Sequence, residues 1–382
     1  MSDIMQCDVC IIGGGLVGCS TALHLVRAGK SVVLVERDRI GAHASGANFG
    51  GVRRHGRNVL ELPLSTRAFD IWRNMGTLVG NDCEFMPTGH LKIARSEAEM
   101  AVLEQWSSFG AEHGIPVVLH DRTSLRANFP WLNTSSFGAS FCPGDGHANP
   151  RLAAPAFALR AGAEGAVVIQ GDGATTVEDA RDEFEVTLHS RRRIRAAVLV
   201  NAAGAWGRHF ARYYGDEAPV EAVAPQMFVS EPVPYIIDAV LGMVTGGLYL
   251  RQIPRGNVIF GGGRGILDPN CHRSSPSDRV FAETVGLAGD LVPSLRDIAV
   301  IRSWTGVEGH CEDGLPILGP SPRRANLYHA FGFSGHGFQM APAVGAVLSE
   351  LIARGFSETD ISALSPRRFT GAKSSILAES EI

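Results

Sequence analysis

Val9-Cys-Ile-Ile-Gly-Gly-Gly-Leu-Val-Gly18, with Ser31-Val-Val-Leu-Val-Glu36 one helix further on, decides the fold. Val9 to Ile12 is a short apolar run. Leu16 to Ala28 carries apolar residues at helical spacing, Gly29 ends that helix, and Ser31 to Glu36 reads as a second buried strand. The spacing therefore predicts strand, glycine turn, helix, strand, which is one βαβ unit. Gly13, Gly15 and Gly18 form G-x-G-x-x-G at the turn. Gly13 permits the tight turn, Gly15 lets backbone amides approach a pyrophosphate at the positive helix end, and Gly18 lets the helix pack closely. Glu36, eighteen positions after the last of these glycines, is placed to accept from ribose hydroxyls. Leu16 and Val17 at the helix start and Arg37 after Glu36 belong to the same contact zone. The unit reads as a dinucleotide site, and the motif alone does not separate FAD from NAD.

At 382 residues the chain is too long for one ordinary hydrophobic core, and 45% hydrophobic with 19% charged residues fits two packed lobes. A net charge of -4 offers no broad basic face for a phosphate backbone, which argues against nucleic acid as a partner. The one dense basic run, Arg191, Arg192, Arg193 and Arg195, falls between strand-like stretches at Glu183 to His189 and Ala196 to Val200 and reads as a solvated hairpin turn. No apolar run approaches the ~20 residues of a bilayer span. Met1 to Gln6 lacks the basic and apolar segments of a secretory leader, so the expected location is cytoplasmic. Seven scattered cysteines suit reduced thiols there. Cys7 and Cys10 form a C-x-x-C, but strand residues three apart face opposite ways, so we assign the pair no metal or bridge.

Further strand signals stand at Val167 to Gln170, Phe184 to Leu188, Val198 to Val200 and Leu327 to Ala330, with a helix from about Phe338 to Arg354. Phe85 to Ile93 and Leu248 to Gly263 differ in texture, with Pro and Gly punctuating strands of antiparallel type. The expected class is α/β. A Rossmann-type domain would comprise 1–80, 150–220 and 325–382, and a discontinuous antiparallel-sheet domain, 81–149 and 221–324, would wall a substrate pocket.

Four separated segments carry a resemblance: Val9 to Glu36, Gly41-Ala-His-Ala-Ser-Gly-Ala-Asn-Phe-Gly-Gly51, Val200-Asn-Ala-Ala-Gly-Ala-Trp206, and Gly332-Phe-Ser-Gly-His-Gly-Phe-Gln339. In this order they make nearly the whole chain resemble the glycine and D-amino acid oxidase family of flavoproteins, nearest its sarcosine, opine and iminodiacetate oxidases. The resemblance implies FAD rather than NAD. It also implies that Ala44, Ser45, Gly46, Asn48 and Gly50 meet the pyrophosphate and flavin edge. Ala174 would meet the adenine, and Ala203, Gly204 and Trp206 would close over the ADP half. Gly306 falls near the position of the flavin-linking cysteine of sarcosine oxidase. Gly335, His336, Gly337, Phe338 and Gln339 would lead into a helix whose positive N-terminus stabilises the anion that reduction places on the flavin pyrimidine. His43 stands where some relatives carry a histidine bonded to FAD, so a covalent link stays open beside the noncovalent binding we expect.

Departures from the family bear on substrate. Glu308 replaces the arginine that grips the carboxylate in glycine oxidases, and Gln339 replaces the lysine of sarcosine oxidases. Arginines remain at Arg53, Arg54 and Arg57, at Arg264 after Gly261-Gly-Gly263, and at Arg302. Guanidinium forks bind carboxylates in bidentate fashion, so several converging arginines would suit a substrate with two carboxylates. Arg53, Arg264 and Arg302 are the candidate anchors, with Tyr249 and Gln339 beside them. His336 and Tyr249 are the candidates for contact with the reacting atoms. Of the three lysines, Lys30, Lys92 and Lys373, none matches the oxygen-activating lysine of sarcosine oxidase, so slow reoxidation by air is expected.

The expected activity is hydride transfer from the α-carbon of a neutral secondary amine, an N-carboxyalkyl amino acid such as iminodiacetate or an opine. Hydrolysis of the imine would give a 2-oxo acid such as glyoxylate and a smaller amine. Oxidation of D-amino acids, D-proline, sarcosine or glycine is the alternative. So is a flavin-bearing subunit that passes electrons to partner subunits. No metal is expected.

Overall fold

Strand β1 (Ile4–Ile12) lies inside a sheet because both neighbours are apolar runs that pair with it in parallel. On one side is β2 (Val32–Glu36), registered Val9 to Val32 and Ile12 to Val35, and on the other is Arg193–Asn201. Val167–Gln170 extends the parallel array beyond β2, and Leu327–Phe331 extends it beyond Arg193–Asn201. The computed structural model describes residues 4–370 apart from 134, 269, 271 and 272. Met1 to Asp3, Lys373 and the rest of the polar tail from Gly371 lie outside the described residues.

Parallel strands buried on both faces need apolar residues at consecutive positions, which is why β2 is buried throughout. One face is covered by α1 (Leu16–Arg27), by Pro150–Ala163 and by the C-terminal helix Gly337–Arg354. The other is covered by a hairpin, Ala174–Ala180 and Glu183–Leu188, whose Phe184, Val186 and Leu188 pack on Cys10, Val33 and Val35. Arg192, Arg193 and Arg195 pair with Asp172 and Glu185 around this hairpin, as a solvated turn requires, although the strand begins at Arg193 rather than Ala196. Helix α1 and the C-terminal helix touch at backbone distance. A Cβ on Gly345 would stand 2.3 Å from Ser20 Oγ, which itself donates to the Pro342 carbonyl at 3.1 Å.

The second sheet runs Val300–Thr305, Pro225–Pro232, Asn257–Arg264, Tyr249–Gln252, Val240–Met243, His90–Ala94, Gly138–Cys142, Val118–Asp121. Its pairs are antiparallel except one: His90–Ala94 runs parallel to Val240–Met243 and so joins the two parts of the chain that build the sheet. The expected 81–149 and 221–324 segments supply this sheet, with one correction. Ile317–Pro320 pairs with Leu327–Phe331 and so belongs to the first sheet, since a short turn joins the two strands as a hairpin. Among the described residues, no helix is long and apolar enough to cross a membrane.

Candidate active site

A cavity of about 720 Å³, lined from both sheets, runs from the glycine turn after β1 to the strand His90–Ala94. That volume suits a cofactor-sized ligand.

At the first end, β1 turns into α1 through Gly13, whose φ is +114°. A Cβ there would meet the Ala202 carbonyl oxygen at 2.3 Å, and one on Gly18 would meet the Gly13 carbonyl oxygen at 1.9 Å. Gly18 is thus needed for packing and lies behind the wall that Gly15, Leu16 and Val17 form. The unpaired amides and dipole of this helix start favour an anion. Glu36 accepts from the Gly14 N–H at 2.7 Å and the Asp38 N–H at 2.8 Å, one per carboxylate oxygen, and each oxygen keeps a lone pair for a ribose hydroxyl. The Arg37 guanidinium lies 3.8 Å from the centre of the Trp206 ring. Trp206 Nε1 is buried with no partner, a donor that a bound acceptor would satisfy. Ala174, Ala203 and Gly204 complete this end, so the residues present fit an adenine dinucleotide.

The single helical turn Ala44–Ala47 forms the middle of the wall. Ser45 Oγ accepts from the Leu16 N–H at 2.8 Å and keeps its O–H as a donor. Asn48, expected at the ligand, lines the cavity, but its amide donates to the Ala44 and Ser45 carbonyls and accepts from the Gly50 N–H at 2.7 Å. Its side chain therefore builds the loop. Gly46 lies behind it, where a Cβ would stand 2.3 Å from the Gly41 carbonyl oxygen. Gly50 and Gly306 reach the wall, Gly306 so close to Ala47 that a Cβ would stand 2.6 Å from that methyl. His43 Nε2 is 2.7 Å from Asp38 Oδ2, and its ring meets Trp206 edge-on.

At the far end the wall is cationic. Arg53 and Arg57 follow Val52 in the loop, and Lys92 and His90 project from His90–Ala94. His90 and Lys92 went unassigned in the sequence. The alternation His90-Leu-Lys-Ile-Ala94 was the available signal: Leu91 and Ile93 are in the core, which turns His90 and Lys92 to the opposite face. Burial and the neighbouring Arg53 and Arg57 push Lys92 down to about 8. Tyr249 lines the same region, stacked edge-on against Phe49 at 4.9 Å, with its hydroxyl 3.5 Å from Met227 Sδ.

His336 caps the C-terminal helix and lines the cavity beside Gly335, Gly337 and Phe338. Its Nδ1 lies 2.9 and 3.0 Å from the two oxygens of Glu61, a fully buried carboxylate that sequence reasoning missed because it sits 275 positions away. Burial and then Arg57 lower His336 to about 4 against the pull of Glu61. His336 bonding and the Arg57 and Arg53 charges hold Glu61 below its usual range despite burial. At neutral pH the pair is thus a neutral imidazole donating Nδ1–H to a carboxylate, which leaves the Nε2 lone pair free.

Three expected substrate contacts lie elsewhere. Arg264 is exposed at the end of its strand, outside the cavity wall, and pairs with Glu221 at 3.5 Å. Arg302 is exposed on Val300–Thr305. Gln339 is buried in a structural role: its Nε2 donates to the Ser65 carbonyl at 2.8 Å and its Oε1 accepts from Ser65 Oγ at 3.0 Å. It ties the C-terminal helix to Leu62–Arg73, the helix that Glu61 caps.

Residues 8–351 match the family model described as DAO, FAD dependent oxidoreductase. A polypeptide of the opine oxidase of Rhizobium meliloti is 29% identical over 95% of this chain and 98% of its own length. The beta polypeptide of the sarcosine oxidase of Rhizobium meliloti (strain 1021) is 26% identical over 95% of this chain and 88% of its own. The crystal structure of L-proline dehydrogenase from P. horikoshii superposes with a TM-score of 0.90 at 26% identity, covering 96% of this chain and 98% of that one.

Proposed function

The chain belongs to the DAO family of FAD-dependent oxidoreductases, and we propose that within it this protein oxidises the carbon–nitrogen bond of a secondary amino acid of the N-carboxyalkyl type. The observation that carries the reading is the cationic end of the cavity, where Arg53, Arg57 and Lys92 face the same space as His336 and Tyr249.

FAD, when bound, supplies the two-electron acceptor that takes the α-hydrogen as hydride. The protein's own residues prepare the amine. Arg53 grips the α-carboxylate. The cations around it disfavour a second positive charge, so the bound amine sheds its ammonium proton more readily. The His336 Nε2 lone pair then accepts the amine N–H and fixes the nitrogen. Tyr249, Phe49 and Leu248 present apolar surface that excludes water until the imine forms. Water hydrolyses the imine after release, giving a 2-oxo acid and the smaller amine. The test is anaerobic titration of the yellow enzyme with iminodiacetate, an opine, sarcosine and D-proline. Bleaching by D-proline alone would overturn the secondary dicarboxylic amine.

A second reading has the chain as the flavin-bearing member of a heteromer, supported by likeness over 95% of its length to one polypeptide of a multi-subunit opine oxidase. Size-exclusion chromatography, with turnover of the isolated chain, separates the two.

We expect noncovalent FAD, since His43 Nε2 is already engaged by Asp38 at 2.7 Å. Acid precipitation should release the yellow colour to the supernatant. Colour that stays on the pellet but is lost in His43→Ala would establish a histidyl link instead.

A further inference from the structure

The far end of the cavity holds more positive charge than one carboxylate requires. A Cβ on Gly56 would stand 2.9 Å from Lys92 Nζ and 3.7 Å from Arg53 Nη1, so these cations from two separate elements converge on one small space. The loop that presents the arginines is fixed from behind. Buried Asp145 accepts the Arg54 and His55 N–H groups at 2.9 and 2.8 Å, and Trp106 Nε1 donates to the Arg57 carbonyl at 3.2 Å. Arg53 Nη1 donates to the His55 carbonyl at 2.5 Å, and Arg57 Nε to the Arg53 carbonyl at 3.3 Å. Three buried atoms here lack a hydrogen-bond partner: Arg54 Nε and Asp145 Oδ1, which face each other as an ion pair at 3.7 Å, and Arg57 Nη1, on a residue only 4% exposed. The nearby carboxylates are engaged elsewhere, Glu61 by His336 and Asp145 by the loop amides through Oδ2 and by the Arg54 charge through Oδ1. A buried, unpaired guanidinium N–H is costly unless an anion meets it.

We infer that Arg57 and Lys92 form a second anion subsite beside Arg53 that holds the distal carboxylate of a dicarboxylic secondary amine. This rests on the proposed amine oxidation and names the residues that select its substrate. Burial, together with Arg53, lowers the pKa of both groups, and an anion between them would relieve that destabilisation. The subsite differs in kind from the Arg264 and Arg302 anchors expected from sequence, both of which face solvent.

The test uses the FAD-loaded full chain and two unreactive ligands, oxydiacetate, an ether analogue of iminodiacetate, and methoxyacetate, its monoanionic counterpart. Binding is read from the perturbed flavin spectrum. Wild type should bind oxydiacetate more tightly, and Lys92→Met and Arg57→Met should each weaken it by about tenfold to a hundredfold while moving methoxyacetate less than about threefold. Lys92→Arg should retain most of the preference, and the flavin-to-protein absorbance ratio checks folding. Equal loss of both ligands, or no loss, overturns the subsite. If the oxydiacetate preference holds but no amine bleaches the flavin, the subsite stands and the reaction reading falls. If amines bleach the flavin with no dicarboxylate preference, the reverse is true.

The pH dependence carries a sign. The charged groups facing Lys92 are Arg53 and Arg57, with Glu61 and Asp145 behind them, and burial keeps His55 and His90 neutral. Free Lys92 loses its proton near 8, and a bound anion raises that value, so binding takes up a proton above it. Oxydiacetate affinity should be flat below pH 8 and begin to fall between pH 8 and 9 in wild type, with the fall in that window absent in Lys92→Met, where only Arg57, lowered to about 9, remains to titrate.

Discussion

Replacing His336 by alanine should slow anaerobic flavin reduction by about a hundredfold or more while changing substrate dissociation only a few-fold. The argument begins at Glu61, which has no exposed surface and receives Nδ1–H from His336 with both oxygens within 3.0 Å. That bond fixes one tautomer, and so leaves a lone pair on Nε2 of a ring that lines the cavity. An acceptor so placed gains most when the amine must present its α-hydrogen in one orientation, so its loss falls on the reduction rate rather than on affinity. Glu61→Gln separates this from simple packing. A glutamine fills the same space but removes the charge that selects the tautomer, so reduction should slow by about tenfold or more with the flavin fully bound. Stopped-flow absorbance gives rate and affinity in one experiment. A His336→Ala enzyme with a normal reduction rate and weakened affinity would show that His336 only helps hold the ground state.

What was legible in the sequence was what is local in the chain. The glycine turn, its helix and Glu36 lie within one βαβ unit, and their backbone requirements are written in consecutive residues. The Gly335–Phe338 turn was legible for the same reason. The cationic end was only half legible. Arg53 follows the flavin loop directly, whereas Lys92 reaches the site because His90–Ala94 pairs with Val240–Met243, some 150 positions away along the chain. No motif announces a pairing of that kind. Glu61 was invisible because its partner lies at the other end of the chain, and a single acidic residue before a helix reads as an ordinary cap. Arg264 shows the opposite error: a residue after three glycines looked poised over a pocket, but it stands exposed at the strand's end and pairs with Glu221.

The glycine turn also sets the largest expected effect on the protein itself. Gly18→Val should yield a protein that purifies without yellow colour and melts well below wild type. The Cβ would stand 1.9 Å from the Gly13 carbonyl oxygen and 3.3 Å from Ile11 Cγ2, so neither the turn nor β1 can stay in place. Backbone atoms cannot move aside as a flexible side chain does, and overpacking of this kind costs roughly 1–3 kcal/mol or more. A second loss adds to it. Displacing Gly13 also displaces Gly14, whose N–H holds Glu36 at 2.7 Å, so the ribose acceptor is lost with the pyrophosphate cradle. Without bound flavin the folded state forfeits the stabilisation that ligand supplies, about 2.7 kcal/mol at a hundredfold excess over Kd. Gly29→Ala is the control. Gly29 also has a left-handed backbone, φ +77°, but nothing lies within 4 Å of its Cβ position, so the substitution should cost only about 1 kcal/mol and leave the flavin in place. Thermal melting with the absorbance ratio at the flavin band reads both variants. A Gly18→Val protein with full flavin content would mean that α1 can shift along β1 without disturbing the turn, and the pinch between Gly13 and Gly18 would not be what shapes the cofactor site.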